Sequence, residues 1–121
     1  MSKGGRRRAE ARGRRAETLA AIFLMAKGYR ILEKRYKVYG GEIDIIAKRG
    51  NVLAIIEVKQ RADIRAAHES LYPAALARIE DAASQYQGRH SFAQNMDMRF
   101  DAVFVLPRFK ILHIKDAWRV D

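Results

Sequence analysis

The chain contains no cysteine and no long run of apolar residues. The absence of cysteine among its 121 residues excludes a disulfide framework and any metal site built from thiolates, and it fits a reducing compartment. No apolar run approaches the ~20 residues of a membrane span. Residues 6–26 resemble a signal peptide, but Glu10 and Glu17 interrupt them and Lys27 to Tyr29 offers no small-residue cleavage site. We therefore expect a cytoplasmic protein with no membrane association.

Three familiar kinds of site are also missing. The glycine pairs lack the flanking residues of a nucleotide-binding loop, the serines have no neighbouring His and Asp, and the histidines are too scattered for a local zinc motif. The residues concerned are Gly4-Gly5 and Gly40-Gly41, then Ser70, Ser84 and Ser91, and finally His68, His90 and His113. The sequence therefore gives no support to a serine hydrolase, a nucleotide-binding loop or a local zinc motif.

Positive charge is in excess and is concentrated at the start of the chain. The net charge is +10, of which residues 1–15 carry +6 with Glu10 as their single acid. We predict that residues 1–11 are a disordered basic arm and that residues 12–121 form a single domain. A solvated tail that only aids solubility is the alternative to a nucleic-acid contact. The candidate contacts to phosphate are Arg6, Arg7, Arg8, Arg12, Arg14 and Arg15.

The hydrophobic pattern predicts an α/β sandwich, with a mixed sheet of about five strands flanked by helices. Helical spacing predicts a helix from about Arg14 to Lys27, ended by Gly28, and a second helix that Pro73 opens and Gly88 follows. A polar loop from Gln60 to Leu71 precedes the second helix. The predicted strands are Tyr29–Val38, Glu42–Ala47, Val52–Lys59, Met98–Leu106 and Phe109–Ile114.

The last two predicted strands contain apolar residues for the hydrophobic core and one pair of charged residues. We predict that Arg99 and Asp101 form a structural pair at the edge of the sheet. The apolar residues predicted to be core are Phe100, Val103, Val105, Ile111 and Ile114.

Three charged residues stand in two adjacent strands that are otherwise apolar. Asp44 lies in Gly41-Glu42-Ile43-Asp44-Ile45-Ile46, and Glu57 and Lys59 lie in Ile55-Ile56-Glu57-Val58-Lys59-Gln60. Charge in such a segment is costly unless it is paired, hydrogen-bonded or bound to a metal. Side chains alternate along a strand, so Glu57 and Lys59 project from the same face. Two carboxylates and an ammonium on one face suit a divalent cation and a phosphate.

An ordinary exposed ion pair is the alternative for Glu57 and Lys59. Such a pair stabilises little, and for an isolated E-V-K sequence it would be preferred. The strand that begins at Val52 is apolar on both faces until its last residues, as expected of a strand that is covered on both sides. The charges therefore lie at the end of a buried strand, where α/β sheets place their sites.

The motifs together resemble the YraN family of small bacterial proteins. They are Gly13-x-x-x-Glu17, Gly41-Glu42-Ile43-Asp44, Glu57-Val58-Lys59-Gln60-Arg61 and Arg99-Phe100-Asp101. The family's pattern is similar to that of the PD-(D/E)xK nuclease superfamily and, within it, to archaeal Holliday-junction resolvases. The resemblance implies that residues 12–121 are an endonuclease-like domain with a restriction-endonuclease-like core. It also implies a metal-dependent phosphodiester hydrolase that acts on nucleic acid, with structured or branched DNA as the substrate.

The resemblance further implies roles for individual residues. Asp44 and Glu57 would hold Mg²⁺ or Mn²⁺ together with the carbonyl of Val58, and Lys59 would orient the attacking water or neutralise the phosphate. Glu17 would be the additional helix carboxylate of the resolvase-like branch. From helix geometry alone, an exposed pair of Glu17 with Arg14 or Arg15 would be preferred. We also assign Gln60 and Arg61, which follow the motif lysine, to nucleic-acid binding.

Two other classes of function compete with the hydrolase. One is a nucleic-acid binding module of the same fold without significant turnover, and the other is an adaptor whose basic arm binds an acidic partner. We expect opposite charges to keep Asp44 and Glu57 ionised, and a pure binder has little reason to retain a carboxylate pair that repels phosphate. DNA is the expected partner. A symmetric cut across a junction would need a homodimer, and no patch in the sequence indicates one.

Overall fold

A computed structural model describes the backbone of residues 3–71 and 76–118, and side chains from residue 10 onward within those ranges. Its five strands form one mixed sheet in the order β1-β2-β3-β4-β5. Strands β3 and β4 are parallel and the other neighbours are antiparallel. The elements are α1 (Lys3–Ala26), β1 (Arg30–Val38), β2 (Gly41–Arg49), β3 (Val52–Gln60), α2 (Ile64–Glu69), α3 (Leu76–Arg89), β4 (Asp97–Leu106) and β5 (Lys110–Trp118).

Helices cover both faces of the sheet. Helix α1 packs on one face, where Ala20 and Leu24 meet Ile45 and Ile56 of the central strands. Helix α3 packs on the other face through a larger apolar cluster that includes Ile79 and the residues around it. This mixed α/β arrangement confirms the predicted fold class and is consistent with a restriction-endonuclease-like core. None of the helices in the described part of the chain is long and apolar enough to cross a membrane.

Helix α1 confirms the predicted apolar stripe but not the predicted start. Ala16, Ala20 and Leu24 are buried, and the helix ends at Ala26. Gly28 follows at a φ of +93°, a conformation that favours glycine, and the Tyr29 N–H donates to the Leu24 carbonyl at 3.0 Å. The helix begins at Lys3 rather than near Arg14, so residues 3–11 continue it. The division into an arm and a domain stays a prediction.

The region between β3 and α3 differs from the prediction. The segment predicted to be a polar loop contains helix α2, which Asp63 caps by accepting a hydrogen bond of 2.8 Å from the Ala66 N–H. Gly88 lies in the last turn of α3 instead of after its end. The predicted role of Pro73 in opening this helix falls outside the described residues.

The C-terminal strands confirm most of the predicted core. Phe100, Val103 and Val105 are buried, whereas Ile111 and Ile114 are only partly buried. Strand β4 lies between β3 and β5, so the Arg99–Asp101 pair is in the interior of the sheet and not at its edge.

Candidate active site

Strands β2 and β3 stop pairing where the charged residues begin. Their last paired residues on this side are Ile45 and Ile56, one step before Asp44 and Glu57. The Asp44 carboxylate accepts a hydrogen bond of 2.8 Å from the backbone N–H of Val58, in place of a backbone carbonyl. The amide and carbonyl of one residue point to the same side of a strand. The Val58 carbonyl therefore also faces β2, beside Asp44.

Glu57 and Lys59 meet on one face of β3, as their spacing predicts. The Lys59 Nζ lies 3.7 Å from the Glu57 Oε1, and their side chains are 17% and 20% exposed. Lys59 also donates to the carbonyl of Ser70 at 3.4 Å, which links it to the end of α2. Helix α2 was missed by the sequence prediction. Two features of the sequence could have indicated this helix: Asp63 at the capping position, and Arg65 and Glu69 one helical turn apart.

Burial raises the pKa of both carboxyl groups. The pKa of Asp44 rises from 3.8 to about 6, first because the group is desolvated and then because Glu17, Glu57 and Glu42 are negatively charged. The hydrogen bond from Val58 opposes this shift. The pKa of Glu57 is also raised, since desolvation exceeds the opposing effect of Lys59. The sequence-based expectation named only the nearby opposite charges, which favour the ionised forms; at both groups desolvation has the larger effect and acts in the other direction.

Glu17 comes near the site with an unpredicted partner. The Glu17 Oε2 lies 2.6 Å from the Nε of Arg35 in β1, and not against Arg14 or Arg15. A cavity of about 420 Å³ brings Glu17, Arg35, Glu42 and Asp44 into one lining. A smaller cavity of about 50 Å³ lies between Asp44 and Glu57, with Glu42 also in its wall. Sequence reasoning missed both Glu42 and Arg35.

The carboxylates at this site could supply some, but not all, of the ligands of a bound cation. Within the described residues, no group of three or more carboxylate or imidazole side chains is placed to hold one ion. The Glu57 Oε2 is buried and has no hydrogen-bond partner there. Such an unpaired oxygen beside a second carboxylate of raised pKa is what a cation would stabilise. The chemistry of Asp44 and Glu57, the two predicted metal ligands, is therefore compatible with a divalent ion, whereas Glu17 is paired with Arg35.

The predicted nucleic-acid contacts are spread over two surfaces. Gln60 is exposed, but Arg61 donates to the Ser70 hydroxyl at 2.7 Å and to the Gln60 carbonyl at 2.6 Å. Arg61 thus joins β3 to α2. The exposed arginines of α1 are Arg12, Arg14 and Arg15. The side chains of Arg6, Arg7 and Arg8 fall outside those that the structure describes, so their assignment stays a prediction.

A second charged cluster lies inside the sheet. Asp101 is fully buried and accepts hydrogen bonds of 2.8 Å from both the Nε and an Nη of Arg99. It also accepts from the Nε2 of His113 at 2.9 Å and from the Asp116 N–H at 3.0 Å. Lys27 lies 2.7 Å from the other ring nitrogen of His113. Every contact of Asp101 is internal, so this pair is structural, as predicted.

The fold and site define a small α/β protein of restriction-endonuclease-like architecture, with a carboxylate pair at the end of its central strands. The sequence profile of the uncharacterised protein family UPF0102 matches residues 16–105. The chain belongs to this family, also called YraN, as its motifs predicted.

Relatives of similar length carry the same family name. A UPF0102 protein of Parvibaculum lavamentivorans is 46% identical over 107 residues, covering 88% of this chain and 80% of the relative. A UPF0102 protein of Methylorubrum extorquens is 44% identical over 119 residues, covering 98% and 93%. One from Maricaulis maris is 45% identical over 113 residues, covering 93% and 89%.

Proposed function

We propose that this protein is a metal-dependent phosphodiester hydrolase that acts on nucleic acid, with structured or branched DNA as its substrate. The observation that carries the proposal is the partly buried pair of Asp44 and Glu57, both with a raised pKa and one with a buried, unpaired oxygen. Neighbouring carboxylates whose burial is only partly compensated by hydrogen bonds and an ion pair carry unfavourable energy that a cation would relieve. Lys59 adds a positive charge beside them.

Asp44 and Glu57 would hold Mg²⁺ or Mn²⁺, and the Val58 carbonyl points to the same side of β3 as the Asp44 contact. When bound, such an ion polarises the phosphoryl group and lowers the pKa of its water. The protein's part is to fix the two carboxylates. The Val58 N–H orients Asp44, and the rigid β3 strand orients Glu57.

Lys59 is held so that it can approach a phosphate. Its Nζ is positioned by Glu57 at 3.7 Å and by the Ser70 carbonyl at 3.4 Å, and both contacts are long enough to be exchanged for a phosphate oxygen. We therefore assign Lys59 to neutralising charge on the phosphate and orienting the attacking water. Glu17 and Glu42 lie around the same cavity and add negative charge that favours binding of a cation.

A cleavage panel tests the hydrolase. Purified protein is incubated at low salt with duplex, flapped, branched and single-stranded DNA, in Mg²⁺ and Mn²⁺ with an EDTA control. Asp44→Ala, Glu57→Gln and Lys59→Ala should each lose cleavage. Glu69→Gln is the matched control, since Glu69 is an exposed carboxylate that pairs only with Arg65 among the contacts described. Activity that survives in all three site variants would come from a contaminant or another site.

Binding separates the hydrolase from a module that only binds. In EDTA, Asp44→Ala should bind DNA as well as the parent or better, because it lacks a negative charge that repels phosphate. A parent protein that binds DNA and cuts no substrate in either metal would exclude the hydrolase in favour of the binding module.

A further inference from the structure

The turn between β4 and β5, residues 107–109, holds an exposed aromatic ring on a strained backbone. Phe109 is 78% exposed, so burial of its ring adds little to stability. Arg108 and Phe109 have φ values of +64° and +60°, two consecutive residues in the left-handed region. Glycine or asparagine adopts this conformation at little cost, whereas arginine and phenylalanine do not. Neither residue is therefore placed there by the needs of the turn.

This turn lies at the same end of the sheet as the candidate active site. Strands β3 and β4 are parallel, with Lys59 beside Phe104 and Gln60 beside Val105. Pro107 is three residues beyond Phe104, which is roughly 10 Å at ~3.3 Å per residue. That distance corresponds to about three nucleotides of B-form DNA at ~3.4 Å each. A nucleic-acid strand that is bound at Lys59 and runs along β4 would therefore reach the turn.

Beside the turn lies a groove that is lined by apolar and basic residues. The groove, of about 410 Å³, has Ile64, Leu106 and Pro107 in its lining together with the basic Arg108 and Lys110. Arg65 contributes a third cation, which pairs with Glu69 at 3.1 Å. No ion pair within the described part of the chain includes Arg108 or Lys110.

The acid in this groove has a structural role. Asp63 accepts a hydrogen bond of 2.8 Å from the Ala66 N–H as the cap of helix α2. The two basic residues that flank Phe109 thus face a surface with no other carboxylate in its lining. Along the chain, the exposed Phe109 stands between these two basic residues. A ligand that complements an aromatic ring with a cation on each side in the chain has a flat apolar group between two negative charges, which is the pattern of a nucleotide base between its phosphates.

We propose that Phe109 stacks on an unpaired base while Arg108 and Lys110 bind the adjoining phosphates. This assignment rests on the proposed function, because it assumes that the cleaved nucleic-acid strand lies over Lys59. It specifies the substrate as a nucleic acid with unpaired nucleotides next to a duplex. In a continuous duplex the neighbouring bases already cover both faces of each base. The Phe109 ring then has no free face to stack on.

The test is binding in EDTA, where no strand is cut. A fluorescent 2-aminopurine base is placed in the unpaired arm of a flapped DNA, and its quenching is measured with the full-length chain. The parent should quench it, and Phe109→Asn should lose the quenching and bind flapped DNA about tenfold more weakly. Affinity for continuous duplex should change by less than about twofold. Phe109→Trp should retain both signals.

A structural role for Phe109 gives a different result. Asparagine tolerates the left-handed backbone, so Phe109→Asn should melt at the same temperature as the parent or higher. Phe92→Asn is the matched control, since Phe92 is 46% exposed and lies near Lys48, which pairs with Leu53 at the opposite end of β3. It should leave the quenching of 2-aminopurine unchanged.

Repeating the measurement with an unpaired arm made of RNA shows whether the stacked base comes from DNA, from RNA or from both. Quenching that depends on Phe109 with either strand supports the proposal, and quenching with neither overturns it. Equal loss of affinity for flapped and continuous DNA in Phe109→Asn would overturn it too, as would Phe109-dependent binding to anionic phospholipid vesicles without any quenching. Phe109-dependent quenching by a parent that never cuts DNA would exclude the hydrolase and leave this assignment standing.

Discussion

The Asp44 carboxylate accepts the hydrogen bond that the backbone N–H of Val58 would otherwise give to β2. One acidic side chain therefore both closes the end of the β2–β3 pairing and stands beside Glu57. This geometry links the stability of the central strands to the charge of the candidate active site. A cation, a proton or a substitution at Asp44 should each be detectable in the unfolding of the whole domain.

The first prediction concerns Asp44→Asn. The pKa of Asp44 is raised from 3.8 to about 6, so the folded state holds the proton more tightly than the unfolded chain. This contribution to stability is present below pH 4 and is lost as the pH rises to about 6. Asparagine keeps an acceptor for Val58 without the charge. We expect Asp44→Asn to be more stable than the parent at pH 8 by about 1–3 kcal/mol, with the difference shrinking at pH 4.

Urea unfolding in EDTA at pH 4, 6 and 8 measures this difference. Asp97→Asn is the control, because Asp97 is exposed at the start of β4. Adding Mg²⁺ or Mn²⁺ should stabilise the parent at pH 8 and have little effect on Asp44→Asn. A parent that is more stable than the variant at every pH would show that the charge of Asp44 is already compensated.

The sequence was sufficient to predict those parts of the site whose geometry depends on the local alternation of side chains. The alternation of side chains placed Glu57 and Lys59 on one face of β3, and the adjoining apolar runs identified β2 and β3 as neighbours. Helix α2 was not identified because it is only six residues long and largely exposed, so it has no apolar stripe.

Contacts between segments that are distant in the chain could not be predicted from the sequence. Glu17 pairs with Arg35 because tertiary packing brings α1 against β1. Helix spacing favours only local partners such as Arg14. The balance between burial and charge pairing at Asp44 likewise depends on tertiary packing, which is why the rise of its pKa could not be predicted from the neighbouring charges in the sequence.

The second prediction concerns Gly41, where β2 passes close to α3. A Cβ atom at this position would lie 2.8 Å from the Cβ of Ala82 and closer still to the Arg78 carbonyl. We expect Gly41→Ala to lower the free energy of unfolding by about 1–3 kcal/mol, because helix and strand must separate. Thermal unfolding of Gly88→Ala is the control. A Cβ there meets nothing within 4 Å, so that variant should be as stable as the parent or slightly more stable.

The third prediction concerns residues 1–9, which carry four basic residues and no acid. Their removal should leave the melting temperature within about 2 °C of the parent's, since the segment has no apolar period to bury. It should weaken DNA binding and flatten the dependence of log affinity on log salt by ~0.9 for each phosphate that the shortened chain no longer binds. Fluorescence anisotropy at several salt concentrations gives the slope. An unchanged slope would identify the segment as a tail that does not touch DNA.

The last prediction separates the buried cluster from the candidate active site. Burial alone would raise the pKa of Asp101, but hydrogen bonds from His113, Arg99 and the Asp116 N–H lower it overall. The Asp101 carboxylate therefore adds stability above its ordinary pKa of 3.8, and this contribution is lost as the pH falls from that value through the lowered pKa of the folded state. Asp101→Asn leaves the Arg99 guanidinium without its charged partner inside the sheet. We expect a loss of about 3–5 kcal/mol at pH 7 and a shallower acid limb of unfolding.

Metal affinity is the readout that a structural role would not change. Calorimetric titration of folded Asp101→Asn with Mn²⁺ should give the parent's affinity, because no contact of Asp101 reaches Asp44 or Glu57. Asp97→Asn, on the same strand but exposed, should change stability by less than about 0.5 kcal/mol. If Asp101→Asn weakened Mn²⁺ binding more than it lowered stability, Asp101 would belong to the metal site, and the assignment of that site to Asp44 and Glu57 alone would be wrong.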